Sequence, residues 1–79
     1  MAYYIGELIK QKAKSLGYSQ KDLSEALGVS QTFVSDLISG KRRISTLMAK
    51  SLAQTLKTTA KEWLYMQVDY ELNLEEPQP

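Results

Sequence analysis

The 79-residue sequence contains no cysteine and no histidine. Without cysteine there are no disulfides, no thiolate chemistry and no ordinary structural zinc site. Without histidine a Ser-His-Asp or Cys-His nucleophile cannot be assembled, and metal binding could rest only on carboxylates. No glycine-rich loop is present that could cradle a phosphate, so an enzyme is not expected, and neither a cofactor nor a metal is called for. The longest apolar runs are a few residues, far short of the roughly 20 that a membrane helix needs. The opening Met1-Ala2-Tyr3-Tyr4 lacks the basic and apolar regions of a secretory signal. A cytoplasmic protein is the default expectation.

What is present suits one small folded domain. Hydrophobic residues make up 43% of the chain, which argues against disorder throughout. The formal net charge is only +1, but it is unevenly spread. From Asp69 onward there are four acids (Asp69, Glu71, Glu75, Glu76) and no bases, so the chain before Asp69 carries ten basic and five acidic residues. A basic body of that kind suits an anionic partner, although a solvated scatter of charge would give the same balance.

Periodicity and capping residues predict five helices. The first, from about Tyr3 to Leu16, sets Ile5, Leu8, Ile9, Ala13 and Leu16 on one stripe and stops at Gly17. Ser19 opens the second, with Asp22 three residues later and Leu23, Ala26 and Leu27 facing inward before Gly28. Ser30 opens the third, which ends before Gly40. The fourth runs from Ser45 or Thr46 to Leu56, with Leu47, Leu52, Ala53 and Leu56 inward. Thr59-x-x-Glu62 forms a capping box for the fifth, which continues to about Leu72. No segment alternates as a half-buried strand would. The domain is therefore expected over residues 1–74, and Glu75-Glu76-Pro77-Gln78-Pro79 reads as a frayed acidic tail.

The most informative stretch runs from Gln20 to Leu37. It reads as two short helices joined by a tight turn, with Gly28 supplying the left-handed conformation and Ser24 small where the helices cross. A wheel of the third helix puts Ser30, Val34, Leu37 and Ile38 on one side. Thr32, Ser35, Asp36 and Ser39 occupy the other, with Gln31 at its edge. These short polar side chains can hydrogen-bond base edges in a major groove, and the long Lys/Glu pairs of a merely solvated helix are missing. Gln31 is the first candidate for base reading, because its carboxamide can pair bidentately with adenine. Thr32 and Ser35 can donate or accept, and Asp36 can accept from a cytosine amine but is repelled by phosphate. Phe33, at the flank, suits the core better than the DNA edge. Phosphate contacts are expected from Gln20 and Lys21 at the start of the second helix and from Ser30 and Ser39 at the two ends of the third. Lys41, Arg42 and Arg43, just beyond, complete the set.

Gln20, Leu23, Ser24, Leu27-Gly28-Val29-Ser30, Val34-Ser35 and Gly40 together resemble the XRE/Cro family of helix-turn-helix proteins. The resemblance spans about Ile5 to Leu72 and implies a single all-α five-helix bundle, the lambda-repressor-like DNA-binding domain. The second half, with Gly40-Lys-Arg-Arg-Ile-Ser, Met48-Ala49, Leu52-Ala53 and then Trp63, Leu64, Gln67, Tyr70, Glu71 and Leu72, is similar to HigA-type antitoxins. That likeness implies a dimer that represses its own operon through a palindromic double-stranded operator, and a partner toxin, usually an mRNA interferase.

The fifth helix carries Trp63, Leu64 and Val68 on one stripe and Tyr65, Met66, Tyr70 and Leu72 over other faces. A helix apolar on several sides is buried on several sides or meets a partner. Trp63 suits a core anchor, while Tyr65, Met66, Tyr70 and Leu72 are candidate contacts to a second copy or another protein, a homodimer being the simplest case. Two alternatives remain open: a phage-type or chromosomal regulator without a toxin, and a helical module that binds proteins alone.

Overall fold

A computed structural model describes residues 4–74 and contains five helices and, among these residues, no strand. They are α1 (Tyr4–Ser15), α2 (Gln20–Leu27), α3 (Gln31–Ser39), α4 (Thr46–Leu56) and α5 (Ala60–Leu74). The expected tail, residues 75–79, lies outside the described residues, as does Tyr3.

The helices begin where hydroxyls are placed to cap them. The Ser19 hydroxyl accepts from the Asp22 amide at 3.0 Å, while the Ser19 amide donates to the Asp22 carboxylate at 2.9 Å. Ser30 and Ser45 accept in the same way from the Phe33 and Met48 amides. Thr59 and Glu62 form the reciprocal pair at the head of α5. Each cap satisfies amides that the first helical turn leaves without partners. Hydrogen bonds from the backbone amides, and then from the hydroxyls, of Ser19 and Thr59 hold the Asp22 and Glu62 carboxyls below their ordinary range.

One core unites the five helices. Ile5, Ile9 and Ala13 come from α1, Leu23 and Leu27 from α2, and Val34 and Leu37 from α3. Ile44 precedes α4, which adds Met48, Ala49, Leu52 and Leu56, and α5 supplies Trp63, fully buried as expected. The Trp63 indole N–H donates to the Thr58 hydroxyl at 2.7 Å, so this large ring is buried without an orphaned donor. Helices α2 and α3 pack on each other, α1 lies against α3, and α5 lies against α4 and α1.

Three residues expected inside are outside. Leu47 is 75% exposed, because it lies nearly opposite the Ala49, Leu52 and Leu56 face at 100° per residue. Ala26 is exposed at the edge of a face centred on Leu23 and Leu27. Leu16 lies just past the end of α1, where the chain has left the helical path, and is 37% exposed. On α5, Val68 is also largely exposed, so the expected Trp63–Leu64–Val68 stripe is buried at one end only.

Gly6 was not singled out by sequence, yet it fixes the position of α3. A Cβ built on Gly6 would overlap the Ile38 backbone carbonyl. α1 can cross the end of α3 this closely only where no side chain intervenes.

Candidate nucleic-acid interface

The turn between α2 and α3 is made by Gly28, whose φ of 71° lies in the left-handed region. Its amide donates to Glu25, and the following Val29 amide donates to the Ser24 carbonyl at 3.0 Å, closing the end of α2. Ser24 is buried where the helices meet, and its hydroxyl turns back onto the Lys21 carbonyl at 2.7 Å. A larger residue there would push the two helices apart.

With α3 fixed by Val34 and Leu37 in the core, its opposite face is presented outward. Gln31, Thr32, Ser35 and Ser39 are exposed and Asp36 is half-buried. All four expected base-reading residues, Gln31, Thr32, Ser35 and Asp36, therefore share one side of one helix. The Ser39 hydroxyl donates to the Asp36 carbonyl at 3.3 Å, so it faces an incoming group mainly as an acceptor.

Gln20 lies beside the head of α3, where its side-chain N–H donates to the Gln31 carbonyl at 3.4 Å. This long bond joins the starts of the two helices, so the residue expected to grip phosphate also braces the residue expected to read a base. Lys21 is exposed next to it. A cleft of about 310 Å³ opens between α1 and the start of α2, with Lys10, Lys14, Tyr18 and Ser19 among its walls.

The basic triplet is divided. Lys41 is exposed, and its amide donates to the Asp36 carbonyl at the end of α3. The Arg42 guanidinium lies over the Phe33 ring, 4.3 Å from its centroid. Arg43, expected on phosphate with the other two, is instead held by α5. Its Nε donates to one Glu71 oxygen at 3.0 Å and its Nη2 to the other at 2.9 Å. The hydrogen bonds and charge of Arg43 keep the Glu71 carboxyl below its ordinary range, and Glu71 in turn raises Arg43. The reason is long-range. In sequence Glu71 belongs to the acidic end of the chain, but it lies inside α5, which folds back to the loop after α3.

Gln67 makes a second tie at the same place. It is 2% exposed, and its side-chain carbonyl accepts from the Ile44 amide at 3.0 Å. This polar residue in an apolar neighbourhood satisfies a buried backbone donor in the basic loop. A glutamine three to four residues from Trp63 and Tyr70 was the one available signal.

The outer side of α5 sorts the four candidate partner residues. Tyr65 and Leu72 are 66% and 62% exposed, and with Val68 they recur at helical spacing on one stripe. Met66 and Tyr70 are half-buried and pack against the core. Leu74 adds a further exposed apolar side chain at the end of the helix. No helix among the described residues is long and apolar enough to cross a membrane.

Comparison with known proteins agrees with this architecture. The helix-turn-helix family profile matches residues 9–63, well over half of the chain. Virulence-associated protein A′ of Dichelobacter nodosus is 36% identical over 69 residues, covering 86% of this chain and 60% of that protein. The chain thus spans less than two thirds of the length of that relative. Among solved structures, antitoxin GraA superposes with a TM-score of 0.82 at 30% identity, over 95% of this chain and 82% of that one. The Pseudomonas aeruginosa antitoxin HigA, solved with the higBA promoter, gives 0.80 at 27% identity, over 100% and 98%. The likeness to HigA-type antitoxins drawn from the second half of the chain is thereby borne out at the level of structure. The matched profile and the two helices meeting at a left-handed Gly28 lead to one assignment: the chain belongs to the helix-turn-helix family.

Proposed function

We propose that the chain is a sequence-specific DNA-binding repressor of the antitoxin type, acting as a dimer on a palindromic operator. The carrying observation is the outward face of α3, where Gln31, Thr32, Ser35 and Asp36 lie together between a capped N-terminus and a basic loop. In a major groove the first turns of α3 meet base edges. Gln31 pairs with adenine, and Thr32 and Ser35 take flanking donors, acceptors or the thymine methyl. Gln20, Lys21, Ser30, Ser39, Lys41 and Arg42 contact the phosphates on either side and set affinity and register rather than sequence. Arg43 has its Nε and Nη2 on Glu71, so its contribution to phosphate binding is smaller than that of its neighbours.

The exposed Tyr65, Val68 and Leu72 stripe suits pairing of two copies, which would place two α3 helices on two half-sites. A toxin partner is the second element of this reading, and the antitoxins GraA and HigA among the similar structures favour it. An mRNA interferase is the class implied by the α5 resemblance.

The test is a fluorescence-anisotropy titration on the DNA upstream of the gene and on a scrambled duplex, at several salt concentrations. Tight binding to the upstream DNA alone, strengthening as salt falls, is the expected outcome. Equal, weak and salt-insensitive binding to both would instead support the protein-interaction module. A regulator without a toxin would bind the upstream DNA in the same way but have no toxin gene beside it.

A further inference from the structure

Phe33 has one role in the structure beyond filling the core. It is half-buried against the core, and the Arg42 guanidinium lies over its ring at 4.3 Å. Arg42 is exposed and has no carboxylate partner among the described residues, in contrast to Arg43. The chemistry of the two arginines therefore differs. Pairing with Glu71 occupies the Nε and Nη2 donors of Arg43, whereas the attraction of a cation to a ring face needs no acceptor and leaves the N–H groups of Arg42 available to donate. A planar fork held at a fixed height presents two parallel donors to a phosphate at little further loss of side-chain freedom.

We propose that Phe33 is a positioning residue for DNA binding: its ring is a shelf that holds the Arg42 guanidinium ready to clamp a backbone phosphate. Phe33 is the third residue of α3, and its own amide is capped by Ser30. The shelf thus moves with the recognition helix, and the clamp is registered to the same turn that carries Gln31 and Thr32. Arg42 reaches the flank of the interface through Phe33, so the basic loop need not be rigid itself. This inference rests on the DNA-binding reading above and refines it.

The experiment compares F33L, F33Y, R42A, R42K and F33L/R42A on the specific and the scrambled duplex across a salt series. A melting curve for each variant monitors the fold. R42A is expected to weaken both duplexes alike and to lower the salt slope by roughly one unit. F33L keeps the apolar bulk but removes the aromatic face, and should weaken both duplexes roughly two- to five-fold. The double variant should be no weaker than R42A. F33Y should retain wild-type binding, and R42K, which keeps the charge without the planar fork, should behave like F33L. In the free protein, Arg42 side-chain protons should show an upfield ring-current shift that F33Y retains and F33L abolishes. An unshifted Arg42, or additive losses from F33L and R42A, would overturn the proposal, the second by showing that Phe33 acts independently of Arg42. If the wild type binds the operator but R42A changes nothing, Arg42 is not a phosphate contact and the shelf has no function. A wild type that binds neither duplex overturns the DNA reading instead. Should F33L fail to fold, the shift of Arg42 in the wild type and in F33Y decides the matter.

Discussion

The outward faces of α3 and α5 are both open to solvent, and they differ in nearly every side chain. α3 presents Gln31, Thr32, Ser35 and Ser39, short groups that make directional hydrogen bonds and cost little to desolvate in pieces. α5 presents Tyr65, Val68, Leu72 and Leu74, mainly apolar groups of which only the Tyr65 hydroxyl makes directional bonds. The first face suits a wet, charged surface whose edges carry donors and acceptors in a fixed pattern. The second suits a dry surface and gains from area alone. The two faces meet structurally at the basic loop. There Arg43 is bound to Glu71 of α5, and the Ile44 amide is bound to Gln67 of the same helix. A change in how α5 packs would therefore be felt within a few residues of the DNA-facing helix.

This contrast can be broken from either side. The largest effect is expected from Leu72→Glu, which places a charge in the apolar stripe without touching the core. If two copies pair there, sedimentation should show a monomer. Affinity for a two-half-site operator should then fall by about 100-fold or more, because the second half-site is no longer tethered. Unchanged mass and affinity would remove α5 from the dimer contact. Gly6→Ala comes next, since its Cβ would overlap the Ile38 carbonyl and force α1 away from α3. A loss of about 1–3 kcal/mol in denaturant unfolding is expected, the range for overpacking a close contact. A smaller effect, opposite in sign, is expected of Glu71→Gln. Releasing Arg43 from its carboxylate should strengthen binding to specific and scrambled DNA alike and raise the salt slope by roughly one unit.

Acid should act on the caps and the ion pair together. Asp22, Glu62 and Glu71 all have carboxyls held below their ordinary range by hydrogen bonds in the folded chain. A depressed carboxyl pKa favours the fold above the unfolded value, and that contribution is lost as pH falls through the folded value. The melting temperature should therefore stay level from neutral pH down to the ordinary carboxylate range and fall below it. Glu62→Gln should start lower at neutral pH and lose less on acidification, which a melting series across pH would reveal.

Much of this contrast was legible in the sequence, because local chemistry decides it. Ser19, Ser30, Ser45 and Thr59 start their helices whatever lies around them, and the sorting of α3 into two faces follows from helical spacing. Trp63 was recognisable as a core anchor by its size and its place after a capping box. Other positions depend on the path of the chain or on contacts between distant segments. Leu47 lies opposite the buried face of α4 and Ala26 at the margin of that of α2, and an apolar residue type alone does not say which side is covered. Leu16 lies beyond the end of α1. Gly6 owes its importance to a crossing with Ile38, 32 positions away in the chain, and no local pattern records that crossing. Arg43 reads as a phosphate contact beside Lys41 and Arg42, and only the return of α5 brings Glu71 to it. The candidate base-reading face was thus readable within one helix, whereas the division of the basic triplet required the tertiary fold.

The most direct test of the central claim, that the outward face of α3 reads sequence, is to compare wild type and Gln31→Ala on a panel of operators carrying every single-base change. A loss of about 1–3 kcal/mol is expected on the native operator, together with relaxed preference at one base pair in each half-site and unchanged preference elsewhere. A uniform loss over all operators, or an unaltered preference at every position, would contradict it.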